Sequence, residues 1–165
     1  MPAWRMRRSV MITPGHRPER LAKAVSLPAD SLIFDLEDAV PATRAKPQAR
    51  EAVVAALSSG GYGSRFLILR INAQGTDEFA ADLEAAAKLG KAGKLHAVVI
   101  PKVSSPATLE AVRSRLTALG CPNDGSSSGG GGVALWAMIE TPLGVLRVDQ
   151  IAASAGIYGC TTLVA

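Results

Sequence analysis

Short apolar runs alternate with amphipathic segments along the chain, and this alternation constrains the fold more than any other feature. Five runs lie at residues 9–13, 32–34, 66–71, 97–100 and 133–139, and a sixth begins near Thr162. A repeat of roughly 30 residues is typical of βα units around a parallel sheet. The pattern predicts an α/β fold in a single domain spanning residues 1–165.

Prolines and capping residues predict where the intervening helices begin. Pro18 stands at a plausible first helical position, Pro41 and Pro47 bracket a turn and a helix start, Thr76 is a candidate cap, and Ser105-Pro106 begins a further helix. A last helix is predicted over residues 148–155. The Gly/Ser-rich stretch at residues 125–132 is interpreted as a loop inserted between a helix and a strand, with a domain linker as the alternative.

Composition narrows the function classes. The net charge of +4 is scattered and aromatic residues make up only 4%, so a nucleic-acid surface is not expected. No apolar run approaches the roughly 18 residues of a membrane span. Cys121 and Cys160 lack CxxC spacing and are read as free thiols of a reducing compartment. The expected location is the cytoplasm, with a mitochondrial location as the alternative.

Three carboxylates follow the second apolar run, at Asp35, Glu37 and Asp38. Carboxyl ends of parallel strands are where α/β folds place their chemistry. Because like charges repel, a fold that clusters them usually assigns them a cation or a proton-transfer task. The alternative is an ordinary strand end followed by an acidic helix start.

Further charged residues follow the next three runs, at Arg70, Lys102 and Glu140. An arginine can hold a carboxylate with two parallel hydrogen bonds, so Arg70 is either a substrate-binding residue or the partner of an acid such as Asp35. Glu140 closes an apolar run and must be paired or metal-bound. Its hard oxygens favour Mg²⁺ or Mn²⁺. The alternative is a structural pair with Arg70 or Lys102.

The motifs resemble those of the HpcH/HpaI aldolase and citrate lyase family, in its citrate lyase beta-subunit-like branch, which includes malyl-CoA lyases. They occur in that family's order and approximate spacing: Arg8-Ser9, Pro14-Gly15-His16-Arg17-Pro18-Glu19, Phe34-Asp35-Leu36-Glu37-Asp38-Ala39-Val40, Lys46, Ala49-Arg50, Arg70-Ile71-Asn72, Ile100-Pro101-Lys102-Val103 and Ile139-Glu140-Thr141-Pro142.

The resemblance implies a (β/α)₈ TIM barrel and a Mg²⁺-dependent carbon–carbon lyase. Its substrates would be short hydroxyacyl-CoA thioesters such as citryl-CoA or malyl-CoA, giving acetyl-CoA and a 2-oxo acid. By motif, Glu140 corresponds to a metal ligand and Arg70 to the arginine that holds the oxo acid. Glu37 and Asp38 correspond to catalytic carboxylates near the metal. Homo-oligomers are expected for the full-length family.

Arg17 and Lys46 correspond to basic positions that serve the CoA phosphates or ion pairs at the mouth of the barrel.

A complete barrel needs roughly 250 residues, and six strands are predicted, so the barrel is expected to be incomplete. A second metal ligand and the catalytic base are expected beyond Ala165, which predicts that this chain alone is inactive. The alternatives are an aldolase acting on free 2-oxo acids and a non-catalytic subunit that binds metal and oxo acid.

Overall fold

The computed structural model describes residues 7–41, 45–121 and 132–164. Strands and helices alternate along these residues, as the apolar periodicity predicts. The strands are β1 (Val10–Pro14), β2 (Ser31–Asp35), β3 (Phe66–Arg70), β4 (Ala97–Ile100), β5 (Ala134–Met138) and β6 (Cys160–Val164). The helices are α1 (Pro18–Ala24), α2 (Ala45–Ser59), α3 (Phe79–Lys91), α4 (Pro106–Ala118), α5 (Pro142–Leu146) and α6 (Val148–Ala155).

The six strands form one parallel sheet in sequential order, from β1 to β6. This confirms the α/β prediction and corresponds to successive βα units of the TIM-barrel type. The sheet is open among the described residues, since β1 and β6 each pair on one side only. Because the strands are parallel, all their carboxyl ends lie along the same side of the sheet, here called its carboxyl edge. The charged residues described below lie there.

Both faces of the central strands are buried. One face packs against the helices, as illustrated by Phe34, Leu83 and Leu109, which are fully buried. The opposite face carries Ile33, Ile68, Val99 and Trp136, which form a separate apolar cluster. No described helix covers this second cluster, so its side chains are buried by packing on one another. This is the arrangement of a barrel interior.

Asp35 and Arg70 lie on the interior face. They stand two residues after Ile33 and Ile68, and side chains two residues apart in a strand share a face. The register pairs Ile33 with Ile68 and Asp35 with Arg70. The apolar interior thus changes to charged side chains at the carboxyl edge.

Two helix predictions need correction. Thr76 does not cap α3: its hydroxyl donates to the Ala73 carbonyl in a preceding turn, and the helix starts at Phe79 after Glu78. The short helix α5 was not predicted, although Thr141 accepts a hydrogen bond from the Gly144 N–H and Pro142 occupies the first turn.

The predicted Gly/Ser-rich insert lies outside the described residues, apart from its last glycine. The limits of β4 match the prediction, and those of the other strands differ from it by at most two residues, because hydrogen-bond pairing rather than hydropathy ends a strand. Within the described ranges, no helix has both the length and the apolarity needed to span a membrane.

Candidate active site at the carboxyl edge of the sheet

Arg70 and Asp35 form the buried centre of the site. Arg70 Nε donates to Asp35 Oδ1 at 2.8 Å and Nη2 donates to Oδ2 at 2.5 Å. The Asp35 side chain is fully buried, and the Arg70 side chain is 10% exposed. The Asp35 hydrogen bonds raise the pKa of Arg70, so its charge is permanent. Of the two alternatives for Arg70, the pair with Asp35 is present in the structure.

The third Arg70 nitrogen is less constrained. Nη1 lies 3.4 Å from Glu37 Oε2 and 3.7 Å from the Met138 sulfur. A guanidinium has five N–H donors, and the pair with Asp35 uses the Nε/Nη2 side. A substrate carboxylate would therefore meet the Nη1 end, and oxo-acid binding by Arg70 stays a prediction.

Asp35 also shapes the acidic loop that follows β2. Its carboxylate accepts the backbone N–H groups of Glu37 at 2.8 Å and Ala39 at 3.1 Å. The loop therefore folds back over the end of its own strand. This places the Glu37 carboxylate beside Arg70 in a buried position, while Asp38 stays exposed.

Lys102 joins this loop to the end of β5. Its ammonium donates to Glu37 Oε1 and to Asp38 Oδ1, the latter at 3.1 Å. Its backbone N–H donates to Glu140 Oε1 at 2.9 Å. The bond from the ammonium to Glu37 raises the pKa of Lys102. Burial works to raise the pKa of Asp38, but the hydrogen bond from the Lys102 ammonium counteracts it, and the pKa is lowered.

Glu140 lies at the carboxyl end of β5 with an exposed side chain. One of its carboxylate oxygens is held by the Lys102 N–H, and the other accepts no hydrogen bond from a described residue. Four carboxylates and two cations therefore meet at this edge: Asp35, Glu37, Asp38 and Glu140 with Arg70 and Lys102. Their formal net charge is minus two.

Glu140 fits a divalent cation of the magnesium type, and its role as a metal ligand stays a prediction. Mg²⁺ usually takes one or two carboxylates and keeps several waters, so a single open oxygen on Glu140 is compatible with it. In the parts of the chain that the structure describes, no three His, Cys, Asp or Glu side chains converge closely enough to hold an ion. A metal site built on Glu140 would thus have few direct protein ligands.

Lys46 is occupied by hydrogen bonds within the chain. Its ammonium donates to the carbonyls of Leu36 at 3.1 Å and Glu37 at 3.0 Å, and to Asn72 Oδ1. Three acceptors match the three N–H donors of an ammonium. Phosphate binding by Lys46 stays a prediction, and in this geometry the residue holds the acidic loop.

Arg17 follows β1 at the same edge. Its Nε donates to His16 Nε2 at 3.2 Å, and its Nη1 lies 3.9 Å from Glu19. The side chain is exposed, and its polar contacts among the described residues are with His16 and Glu19 rather than with Arg70 or Glu37. Arg17 is therefore placed near the mouth but outside the buried network, and its role toward CoA stays a prediction.

Sequence reasoning missed a second buried network next to the site. Asp82, fully buried in α3, accepts Arg50 Nη1 at 2.7 Å, and it also accepts the Asn72 backbone N–H at 2.8 Å and Asn72 Nδ2 at 2.7 Å. Because Asn72 also binds Lys46, the network reaches the acidic loop. The helical period was an available signal, since Asp82 stands three residues after Phe79 on the apolar face.

Comparison with known proteins agrees with this architecture. The HpcH/HpaI aldolase/citrate lyase family matches residues 8–162. The chain belongs to that family. The resemblance seen in the motifs is therefore confirmed.

Two relatives show which activities occur among similar chains. A "(3S)-malyl-CoA thioesterase" of Cereibacter sphaeroides is 41% identical over 152 residues, which is 92% of this chain and 47% of that protein. A "Citrate lyase subunit beta" of Leuconostoc mesenteroides subsp. cremoris is 35% identical over 151 residues, 90% of this chain and 46% of that protein. The chain spans about half the length of the curated relatives it matches.

A solved structure supports the fold. The citrate lyase of Burkholderia xenovorans LB400 superposes with a TM-score of 0.75 at 18% identity, covering 97% of this chain and 48% of that one. At this identity the likeness concerns the fold alone. It agrees with the barrel-type order of strands.

Proposed function

We propose that the protein to which these residues belong is a Mg²⁺-dependent carbon–carbon lyase. It would cleave a short hydroxyacyl-CoA thioester, such as malyl-CoA or citryl-CoA, into acetyl-CoA and a 2-oxo acid. Membership of the family and the names of the two relatives support the substrate class.

The observation that carries the proposal is the grouping of Arg70, Lys102 and an open Glu140 oxygen at one edge of a parallel sheet. In cleavage, a base takes the hydroxyl proton, the carbon–carbon bond breaks as the hydroxyl-bearing carbon becomes a carbonyl, and the thioester fragment leaves as an enolate that takes up a proton to give acetyl-CoA. Negative charge develops first on the hydroxyl oxygen and then on the enolate. Fixed positive groups that need little reorganisation stabilise such charge best.

Each residue has a separate task in this proposal. Glu140 would bind Mg²⁺ directly, with Glu37 and Asp38 nearby through its waters, and Mn²⁺ would serve as a substitute. The cation would supply Lewis-acid stabilisation of developing oxygen charge. Arg70, through Nη1, would bind the carboxylate of the oxo acid, while its bonds to Asp35 keep the guanidinium in place.

The metal assignment is tested by calorimetric titration of Mg²⁺ into the wild type and Glu140→Gln. Glu140→Gln keeps the shape of the side chain and an oxygen for the Lys102 N–H but removes the charge. We expect weaker Mg²⁺ binding with an unchanged thermal transition. Equal Mg²⁺ affinity in both proteins would contradict the assignment.

Thioester hydrolysis is the second candidate, because the relative named as a thioesterase is 41% identical to this chain. The two reactions differ in their products. A lyase acting on malyl-CoA releases glyoxylate and acetyl-CoA with no free thiol. A thioesterase releases malate and free CoA thiol. Parallel thiol and 2-oxo-acid assays on the intact protein decide between them.

Two further candidate functions predict different results in the same assays. An aldolase on free 2-oxo acids would turn over substrates that lack CoA. A non-catalytic subunit would bind Mg²⁺ and oxo acid without turnover. We propose a cytoplasmic location, no nucleic-acid or membrane partner, and a homo-oligomeric whole protein.

A further inference from the structure

Lys102 has an unusual backbone conformation. It is the one non-glycine residue with positive φ in the described ranges, at 54°. A residue with a Cβ is strained in this left-handed region, and glycine would adopt it without cost. Such strain is often found at functional positions. The presence of lysine instead of glycine at this turn therefore indicates a role for its side chain.

The left-handed turn lets one residue serve two sides of the site. The backbone N–H of Lys102 reaches Glu140 after β5, and the ammonium reaches Glu37 and Asp38 after β2. The turn itself is held by the Val103 N–H, which donates to the Met138 carbonyl at 3.1 Å. Lys102 thus determines how the acidic loop and Glu140 are separated.

The two cations of the site differ in freedom. Arg70 is committed to the fully buried Asp35, and its side chain is 10% exposed. The Lys102 side chain is 42% exposed, and its partner Asp38 is 61% exposed. Lys102 is therefore the cation whose removal would leave acidic oxygens open to solvent ions.

We propose that Lys102 is a positioning residue and internal counter-ion: its ammonium neutralises Glu37 and Asp38, and its N–H orients Glu140, so that among the described carboxylates a divalent cation meets Glu140 alone. This inference rests on the proposed metal role of Glu140. It makes the site selective for Mg²⁺, which accepts few protein ligands, over Ca²⁺, which takes six to eight oxygens and favours more carboxylates.

The test is calorimetric titration of Mg²⁺ and of Ca²⁺ into the intact protein to which these residues belong. Lys102→Met removes the ammonium. Lys102→Gly also removes it, but keeps the N–H to Glu140 and relieves the strain, so it covers the case in which the methionine variant does not fold. Lys91→Met is the control: it removes one charge from a lysine whose ammonium donates to the Leu119 carbonyl.

We expect both Lys102 variants to bind Ca²⁺ about tenfold more tightly than the wild type, because a nearby positive charge is removed. Mg²⁺ affinity should rise less, and Lys91→Met should bind both ions as the wild type does. Lys102→Gly should melt no lower than Lys102→Met.

Glu140→Gln distinguishes a failure of this inference from a failure of the proposed function. One outcome is that Glu140→Gln weakens Mg²⁺ binding while both Lys102 variants bind Ca²⁺ and Mg²⁺ as the wild type does. This outcome would overturn the inference and leave the proposed function intact. Absence of binding of either ion to the wild type and to Lys102→Gly would overturn both. If Lys91→Met gains as much Ca²⁺ affinity as the Lys102 variants, the gain comes from the lower net charge of the protein and the inference is overturned.

Discussion

Arg70 and Asp35 stand opposite each other in the register of two neighbouring parallel strands and are joined by two hydrogen bonds. Both face the interior of the sheet, directly beyond the apolar cluster of Ile33 and Ile68. Because a buried charge is tolerated only with a partner, each residue requires the other. The pair also determines the course of the acidic loop, since Asp35 accepts the N–H of Glu37.

Replacing Arg70 with methionine should strongly destabilise the protein, because Asp35 would remain buried without its partner. Removing one member of a buried pair costs about 3–5 kcal/mol. Arg115→Met is the control, since Arg115 and Glu84 form an exposed pair, and such pairs contribute at most about 1 kcal/mol. Urea denaturation of both variants measures the difference, and equal losses would contradict the central role of Arg70.

Asp82→Asn should lower the free energy of unfolding by about 1–3 kcal/mol. The buried carboxylate accepts hydrogen bonds from Arg50 and Asn72, and an amide NH₂ cannot replace an acceptor oxygen. Glu78→Gln is the matched control, because Glu78 is the more exposed partner of Arg50. A loss in the control as large as that in Asp82→Asn would show that burial of Asp82 is unimportant.

Gly144→Ala should disturb the turn that carries Lys102. A Cβ on Gly144 would lie 2.4 Å from the Val103 carbonyl oxygen, so either α5 or the turn after β4 must move. Overpacking of this kind costs about 1–3 kcal/mol. Gly156→Ala is the control, since a Cβ there meets nothing within 4 Å. Thermal melts should separate the two variants.

Stability should fall with acidification between neutral pH and pH ~5, because of His96. Burial lowers the pKa of His96 from its ordinary value of 6.5, and the nearby Arg7 adds to this effect. Its Nδ1 accepts the Leu67 N–H at 3.0 Å, so the folded state needs the neutral ring. The unfolded chain therefore binds the proton first, and this contribution is complete above pH 6.5 and is lost as the pH falls toward the folded pKa.

His96→Asn keeps an acceptor near the Leu67 N–H without an ionisable ring. Its melting temperature should change less than that of the wild type between pH 7.5 and pH 5, values chosen as roughly one unit or more on each side of the ordinary histidine pKa. His16→Asn serves as the control for the other histidine. The same pH slope in the wild type and in His96→Asn would exclude His96 as the cause.

The 165-residue chain should self-associate at micromolar concentration. Val10 and Ile12 on the edge strand β1 are about half exposed, and Val145 and Leu146 of α5 are 60% and 80% exposed. Open strand edges and apolar patches both favour association. Sedimentation velocity should show oligomers, and Ile12→Lys with Leu146→Lys should reduce them. A monodisperse wild-type monomer would contradict this expectation.

The sequence by itself determined the order and type of the main elements. Apolar spacing is a local property of the sequence, so the βα alternation could be predicted from it. The same pattern predicted that Asp35, Arg70 and Glu140 follow the carboxyl ends of strands. The α5 helix was missed because its five residues are too few for a periodic signal, although the Thr141-Pro142 start was visible.

Only the tertiary structure decided which partners these charges have. Arg70 was compatible with a substrate or with Asp35, and Lys46 with a phosphate or with an ion pair at the mouth of the barrel, because sequence does not specify distances between residues of different elements. The register of β2 and β3 settles the first pair, and the fold of the acidic loop against α2 settles the hydrogen bonds of Lys46. The strained turn at Lys102 likewise has no local signature, since its contacts are with Glu37 after β2 and Glu140 after β5.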